Sequence, residues 1–542
     1  MGAAWLIIVS IIVLAVGYIF YGRNLARRYD LDPERATPAN TKRDGVDYVP
    51  ARAPVLFGHH FASIAGAAPI LGPIYAAVFG WVPILLWILI GSILIGGVHD
   101  FSSLVASIRH GGKSIGEVIE DHIGRSGKQL FLIFTWFLLV LVIAVFCKAV
   151  ASIFVKEPAT VTSSLLFILL AVVFGATIYR LNAPLWLASV VGVALLIGCV
   201  VLGIWFPIEQ SYKFWIYILF GYIFVAAVTP VWILLQPRDY LNSFLLFFTL
   251  LGSVIGIVVV NPEISFPAVT QFHTDLGYLF PILFVTVACG AISGFHSLVS
   301  SGTTSKQLSK ETDARPIGYG SMLLEGLLAV VALITAVTIL QGDYSRLVTS
   351  EGGGPIGIFS SGVGGFLSHL GLPYEAGVTF AALAISAFAL TTLDTATRLG
   401  RFAFQEFFES EGRQAILSRN RYVGTLVTIV FAGLLVFSGT SETLWPLFGS
   451  ANQLLASLVL LAITVWLAEL RKKNSFVKYP MYFMFCVTLT ALGSLIYKNL
   501  VAGNLPLMLV TVLLFVVAVV LVVQAVRSLK RIRAAALETV HE

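Results

Sequence analysis

Apolar runs of roughly twenty residues recur along the whole chain, separated by short polar or Gly/Pro-rich stretches. Each is long enough to cross the hydrocarbon core of a bilayer as a helix. The pattern predicts fifteen helices, over residues 4–21, 55–78, 81–108, 128–155, 161–180, 184–206, 214–236, 242–261, 278–303, 318–341, 373–396, 421–438, 446–469, 479–498 and 505–526. The expected fold class is therefore an all-α polytopic membrane protein. Residues 4–21 have the length of a signal h-region, but no basic stretch precedes them and the arginines follow, so they read as a span.

Composition excludes a water-soluble globule. The 542 residues are 58% hydrophobic and only 11% charged, with a mean hydropathy of +0.92, whereas soluble domains carry about 25% charged residues. A net charge of +6 does not signal nucleic acid here, because Lys and Arg sit in short clusters between apolar runs. Alternating the fifteen spans places 29 of the 34 basic residues on one side, including Arg238, Arg398, Arg401 and Arg419. Lys156, Lys213, Arg346 and Lys498 fall on the other, and Lys148 lies within a span, where it can snorkel outward. The asymmetry predicts an N-terminus outside and a C-terminus in the cytosol.

Two spans are not ordinary apolar helices. Residues 57–73 and 288–305 are dense in Gly, Ser and Ala and carry histidine. They share G-x-H-x5-G, as Gly58, His60, Gly66 and as Gly294, His296, Gly302. They run in opposite directions across the membrane, the sequence pointer to inverted repeats around a midplane site. The expected organisation is one helix and a basic loop over 1–54, a five-helix repeat over 55–206, two inserted helices over 207–277, a second repeat over 278–470, and two helices with a basic tail over 471–542.

Broken helices at these glycines would expose helix ends at mid-depth, where an N-terminus attracts a carboxylate. Substrate contacts are expected from Gly58, His59, His60, Ser63, Gly66, Ser293, Gly294, His296, Ser297 and Ser300, with the amides of Asn452 and Gln453 as further candidates. The competing reading is close helix packing with hydrogen-bonded Ser and Asn. Thr391, Asp394, Thr395 and Arg398 form an i, i+3, i+4, i+7 stripe. Asp394 with the two threonines suits ion coupling, by H⁺ or by Na⁺, unless it merely pairs with Arg398. His99 and Asp100 suit a relay, and Glu325 is a second coupling candidate.

Cys147, Cys199, Cys289 and Cys486 lie singly in apolar runs and read as core side chains, giving neither disulfides nor a zinc ribbon. The histidines suggest a metal only weakly, since no HExxH is present. No cofactor is expected. The absence of a Walker A motif argues against ATP-driven transport within this chain, and no nucleophile–base pair points to an enzyme.

Six ordered motifs, DGVDYVPARAPVLFGHHFASIAGAAPILGP, GGVHDFSSLVASIRHGGKSIGEV, LLQPRDYLN, SGFHSLVSSGTTSKQ, TTLDTATRLGR and WPLFGSANQLLA, resemble the carbon starvation protein A family of bacterial inner-membrane transporters over roughly residues 44–470. The resemblance implies proton-linked pyruvate import or peptide import. It also implies the five-plus-five inverted-repeat core of LeuT-type transporters in the amino acid-polyamine-organocation superfamily, with a cation site between its first and eighth core helices, where Thr391 to Thr395 falls. The expected protein is a symporter of a small carboxylate, with His60 and His296 at the substrate, Asp394 carrying the proton, and no ATPase subunit. Peptide uptake and a membrane sensor are the alternatives, although the longest non-membrane stretches, 22–54 and 342–372, are short for an output domain.

Overall fold

The computed structural model describes residues 2–181, 183–349, 353–410, 413–414, 420–437 and 444–541. Among them, eleven helices are long and apolar enough to cross a membrane, or twelve if the bent pair Ala53–Ile64 and Ala68–Phe79 is one span. In chain order the principal helices are α1 (Ala4–Arg28), α2 (Ala53–Ile64), α3 (Ala68–Ala76), α4 (Trp81–Arg109), α5 (Ile115–Ile123), α6 (Arg125–Lys156), α7 (Ala159–Tyr179), α8 (Leu185–Trp205), α9 (Tyr212–Val228) and α10 (Leu235–Val260). They continue with α11 (Leu279–Thr286), α12 (Gly294–Gly302), α13 (Glu311–Val337), α14 (Gly354–Ser368), α15 (Tyr374–Phe408), α16 (Arg421–Phe437), α17 (Leu444–Glu469), α18 (Ser475–Val501) and α19 (Leu505–His541).

Each predicted segment overlaps a helix, but α9 and α16 have 17 residues each, and α11 and α12 have only 8 and 9. Both Gly/His segments are interrupted. α2 stops at Ile64 and the chain resumes at Ala68 with a bend of 41°. Pro69 opens α3, where a missing N–H removes no helical bond. The second interruption covers Val287–Ser293, between α11 and α12. The aligned glycines therefore do not superpose the breaks: His60 precedes the first and His296 follows the second. The second helix of the first pair restarts with Pro69 in its first turn, and that of the second pair is capped by the side chain of Asn452, far along the chain.

Three further expectations are corrected. α10 starts seven residues before the predicted 242, so Gln236, Arg238 and Asp239 lie inside a helix and are buried. Arg398 and Arg401 are likewise buried on α15 rather than in a cytosolic loop, while Arg419 lies outside the described residues. Residues 342–372, read as non-membrane, contain α14, whose Ile358, Phe359, Val363, Phe366 and Leu367 are buried against α15, α13 and α10.

Packing brings the broken segments to the centre. α2 lies on α10 and α15, α3 on α13, and α12 between α4 and α17. π-helical turns at Gly17–Gly22, Ser92–Gly96 and Arg315–Gly320 face one another. Such turns disturb the regular carbonyl ladder, and the Tyr319 hydroxyl donates to Ile93 O at 3.1 Å. Gly96 sits directly under the second break, where a Cβ would lie 2.3 Å from Ala291 O. This close approach puts the next turn of α4, with His99 and Asp100, against α12.

Candidate functional site

The first cluster joins α4, α12 and α13. His99 Nδ1–H donates to Asp100 Oδ1 and His296 Nδ1–H to Asp100 Oδ2, both at 2.8 Å. His296 Nε2 lies 3.3 Å from Glu325 Oε2. All four side chains are fully buried, and both Glu325 oxygens lack a hydrogen bond among the described residues. Cys289 completes the group: its sulfur, a His296 nitrogen and a Glu325 oxygen lie within 4.8 Å of one another. Thiolate, imidazole and carboxylate form a donor set that a borderline divalent cation accepts. Cys289 is a buried core side chain, as its apolar run suggested, and its sulfur also faces this group.

The chemistry of this cluster follows from its charges. Two carboxylates and two imidazoles contain no permanent cation, so with both acids ionised the group is neutral only when both histidines are protonated. Net charge in a dry interior is costly. The charge of the cluster therefore depends on how many protons its imidazoles and carboxyls hold.

The second cluster joins α2, α9, α10 and α15 and centres on Arg238. Its Nε and Nη2 donate to Asp239 Oδ1 at 3.1 and 2.8 Å, and Nη1 donates to Asp394 Oδ2 and to the Tyr222 hydroxyl. Tyr222 donates to Asp394 Oδ2 at 2.7 Å, and Thr391 donates to Asp239 Oδ1 at 3.0 Å. His59 Nδ1–H donates to Asp239 Oδ2 at 2.7 Å, and Gln307 Nε2 lies 3.4 Å from His59 Nε2. Here a guanidinium offsets one of two carboxylates permanently. The Asp394–Arg398 bridge, the bland alternative in the sequence, does not form. Arg398 instead binds Asp47 at 3.1 Å and the carbonyls of Ala226 and Thr229.

Adjacent histidines on α2 have different partners. His59 enters the Arg238 network, whereas His60 Nδ1 meets Thr304 Oγ1 at 2.8 Å and its Nε2 has no partner among the described residues. Asp100 and His296 are within electrostatic reach of His60. Ser63 contacts Thr395 at 3.4 Å across the first break, and its carbonyl accepts from Thr392 at 3.1 Å. Gly66 faces Thr392 in the same break, and Gly58 packs on Tyr240 and Ser243.

Asn452 holds the start of α12. Its Oδ1 accepts from Phe295 N at 2.8 Å, and Nδ2 donates to Ser293 Oγ at 3.0 Å. Gly294 permits this contact, since a Cβ there would lie 2.2 Å from Asn452 O. Gln453 Nε2 donates to Phe284 O at 2.6 Å, capping α11 from across the break. Both amides are structural caps here. Ser297 donates within its helix to Gly294 O, and Ser300 Oγ is buried without a partner among the described residues.

Outside the membrane-spanning helices, Asp47 latches the segment before α2. Burial alone would raise its pKa, but the guanidinium groups of Arg398 and Arg401 outweigh it and hold the carboxyl below its ordinary value. A depressed pKa contributes stability that is full above the unfolded carboxylate value, about 4, and is lost as pH falls through the folded value. Asp47→Asn is expected to unfold at lower temperature than the parent, by on the order of 1 kcal/mol. In thermal scans that gap stays constant from neutral pH to about 4 and closes below it.

A cavity of about 1060 Å³ opens beside the second break, lined among others by Tyr75, Thr286, Trp445, Ser450, Thr490 and Lys498. Its deep residues Thr286 and Ser450 lie next to the break and to the Asn452 cap. Lys498 lines the same cavity and is a fixed attraction for an anion.

The profile of the family described as Carbon starvation protein CstA matches residues 2–353 and 347–491. The chain is 34% identical over 563 residues to the pyruvate/proton symporter BtsT of Escherichia coli, covering 87% of this chain and 78% of that protein. It is 36% identical over 543 residues to the peptide transporter CstA of Helicobacter pylori, covering 86% and 78%. With the peptide transporter CstA of Bacillus subtilis it shares 33% over 548 residues, covering 92% and 91%. Among solved structures, a manganese transporter of Eremococcus coleocola aligns with 90% of this chain and 99% of its own at 15% identity, with a TM-score of 0.47.

Proposed function

The chain belongs to the carbon starvation protein CstA family and is, like its relatives, a multi-pass membrane transporter; on that premise we propose that it imports pyruvate or a similar small carboxylate together with a proton. The observation that carries the coupling is the buried His99–Asp100–His296–Glu325 cluster, which has two acids, two bases and no permanent cation. We place the coupling proton there rather than on Asp394, because Asp394 receives a direct hydrogen bond from the permanent cation Arg238, whereas the first cluster holds none. Asp394 and Thr391 tie α15 to Arg238 and Asp239, Thr392 and Thr395 join α15 to Ser63 beside the first break, and a cation between Ser63 and Thr395 is the Na⁺ variant of the same scheme.

The substrate path in this reading runs from the cavity at Lys498 past Thr286 and Ser450 to the two breaks. The positive end of the α3 dipole suits a carboxylate, and the free Nε2 of His60 offers a neutral or charged donor. Arrival of the acid beside His60 changes the field at Asp100 and His296, which links its binding to the proton.

The fold reading is a five-plus-five inverted repeat with fifteen spans, divided as the sequence suggested. Counting α2/α3 and α11/α12 as one span each gives five spans through α8, two inserted, five through α17 and two beyond. A second feature supports the repeat: a short helix lies between the second and third spans of each half, α5 in the first and α14 in the second. The orientation in this reading has the N-terminus outside and the C-terminus in the cytosol of a bacterial inner membrane.

Purified protein in liposomes is expected to concentrate labelled pyruvate under an inward proton gradient, with unlabelled pyruvate and short acids competing. The accumulation is expected to be unchanged by a chelator, since this reading needs no ion at Cys289, His296 and Glu325. Accumulation indifferent to the pH gradient would remove the coupling claim. Peptide uptake through the same path is the second reading, favoured by relatives named as peptide transporters; dipeptides outcompeting pyruvate in counterflow would establish it instead.

A further inference from the structure

An apolar groove of about 330 Å³ runs between α1 and α13, walled by Ile11, Leu14 and Tyr18 on one side and Leu323, Leu324 and Leu327 on the other, with Phe57 of α2 at its edge. Both helices continue past the groove into a polar pocket of about 660 Å³ lined by Arg23, Arg27, Arg315, Asp30 and Thr312. The two spaces meet at Tyr18 and Arg315. The Arg315 guanidinium lies 4.6 Å from the centre of the Tyr18 ring and donates to Tyr18 O at 3.1 Å.

The charges in this pocket are unbalanced. Arg23 and Arg27 are exposed and have no ion-pair partner among the described residues. Asp30, the one acid lining the pocket among the described residues, is taken by Lys472 at 2.7 Å, whose ammonium holds the carboxyl below its ordinary value. Three guanidinium groups thus face a space at the end of a hydrocarbon-lined groove. Guanidinium forks match phosphate oxygens, and basic pockets at helix ends beside a bilayer select anionic headgroups.

We propose that this seam is a binding site for an anionic phospholipid, one acyl chain lying in the groove and the phosphodiester held by Arg23, Arg27 and Arg315. The position gives the lipid a consequence. Leu324 flanks Glu325 on α13, and Phe57 lies one turn before His60 on α2. An occupant of the groove therefore rests on both helices that carry the proposed proton and substrate contacts, and steadies the gap between them.

The test is native mass spectrometry of the full, delipidated protein titrated with phosphatidylglycerol or with phosphatidylcholine of the same acyl chains. The expected result is roughly tenfold tighter retention of phosphatidylglycerol, lost in Arg23→Gln/Arg27→Gln, whose changes are on an exposed face, and lost further when Arg315→Gln is added. Leu324→Trp, which fills the groove, is expected to reduce retention while leaving the arginines in place. Equal retention of the two lipids, or a double variant that still prefers phosphatidylglycerol, overturns the proposal. So does displacement of the lipid by glycerol phosphate at matching concentration, which would make the pocket a soluble phosphate site. A dimer that forms on delipidation and is broken by Leu324→Trp would assign the groove to a second copy of the chain and equally overturn it.

Discussion

Glu325→Gln is expected to abolish pyruvate accumulation while leaving pyruvate counterflow in place. With one proton per substrate, each pH unit of gradient supports about tenfold accumulation, about 1.4 kcal/mol. Glutamine keeps the shape and one acceptor beside His296 but cannot gain or lose a proton. The variant should therefore equilibrate labelled pyruvate across liposomes to a ratio near one whatever the gradient, with exchange rates close to the parent. The two assays together separate coupling from binding. A variant that still concentrates pyruvate in step with the pH gradient would place the proton elsewhere, and Asp100 and Asp394 would then be next to test.

Arg238→Met is expected to be the more destabilising change. It leaves Asp239 and Asp394 facing each other without their guanidinium, and breaking a buried pair in this way costs about 3–5 kcal/mol. Thermal unfolding in detergent should shift sharply downward and folded yield should fall. Adding Asp394→Asn to Arg238→Met removes one of the orphaned charges and is expected to restore part of the loss. That recovery identifies charge compensation, not side-chain volume, as the role of Arg238, since the double variant has no more volume than the single. If Arg238→Met unfolds like the parent, Tyr222, Thr391 and His59 satisfy the carboxylates without it.

The helices were legible in the sequence because repeated apolar runs of bilayer length are stable only when a bilayer surrounds them. The two broken segments were legible for a related reason: Gly, Ser and His at membrane depth conflict with an ordinary span. The position of the second break was not, because it depends on a contact far along the chain. Asn452 caps a helix that begins 158 positions before it, and nothing within α12 announces that partner.

The candidate residues were legible singly, but their pairings were not. Asp394 stood out, whereas its partner Arg238 looked like a topology signal beside a loop, since a lone arginine between two apolar runs reads as cytosolic. The polar residues from Gln236 to Ser243 carried a contrary signal, because Arg and Asp side by side at a helix start are costly unless buried partners await them. His296 lies 196 residues from Asp100. Local periodicity places each on a helix face, and only the fold makes them neighbours. Cys289 carried no signal at all within its apolar run.

His59 and His60 are consecutive on one short helix that ends at a three-residue break. Successive side chains on a helix diverge by about 100°, so one backbone segment holds Asp239 through His59 and Thr304 through His60. α2 works as a crossbar: a tilt that loosened the imidazole on the Arg238 side would also shift the one held by Thr304. A displacement of this one short helix is therefore felt at both contacts together.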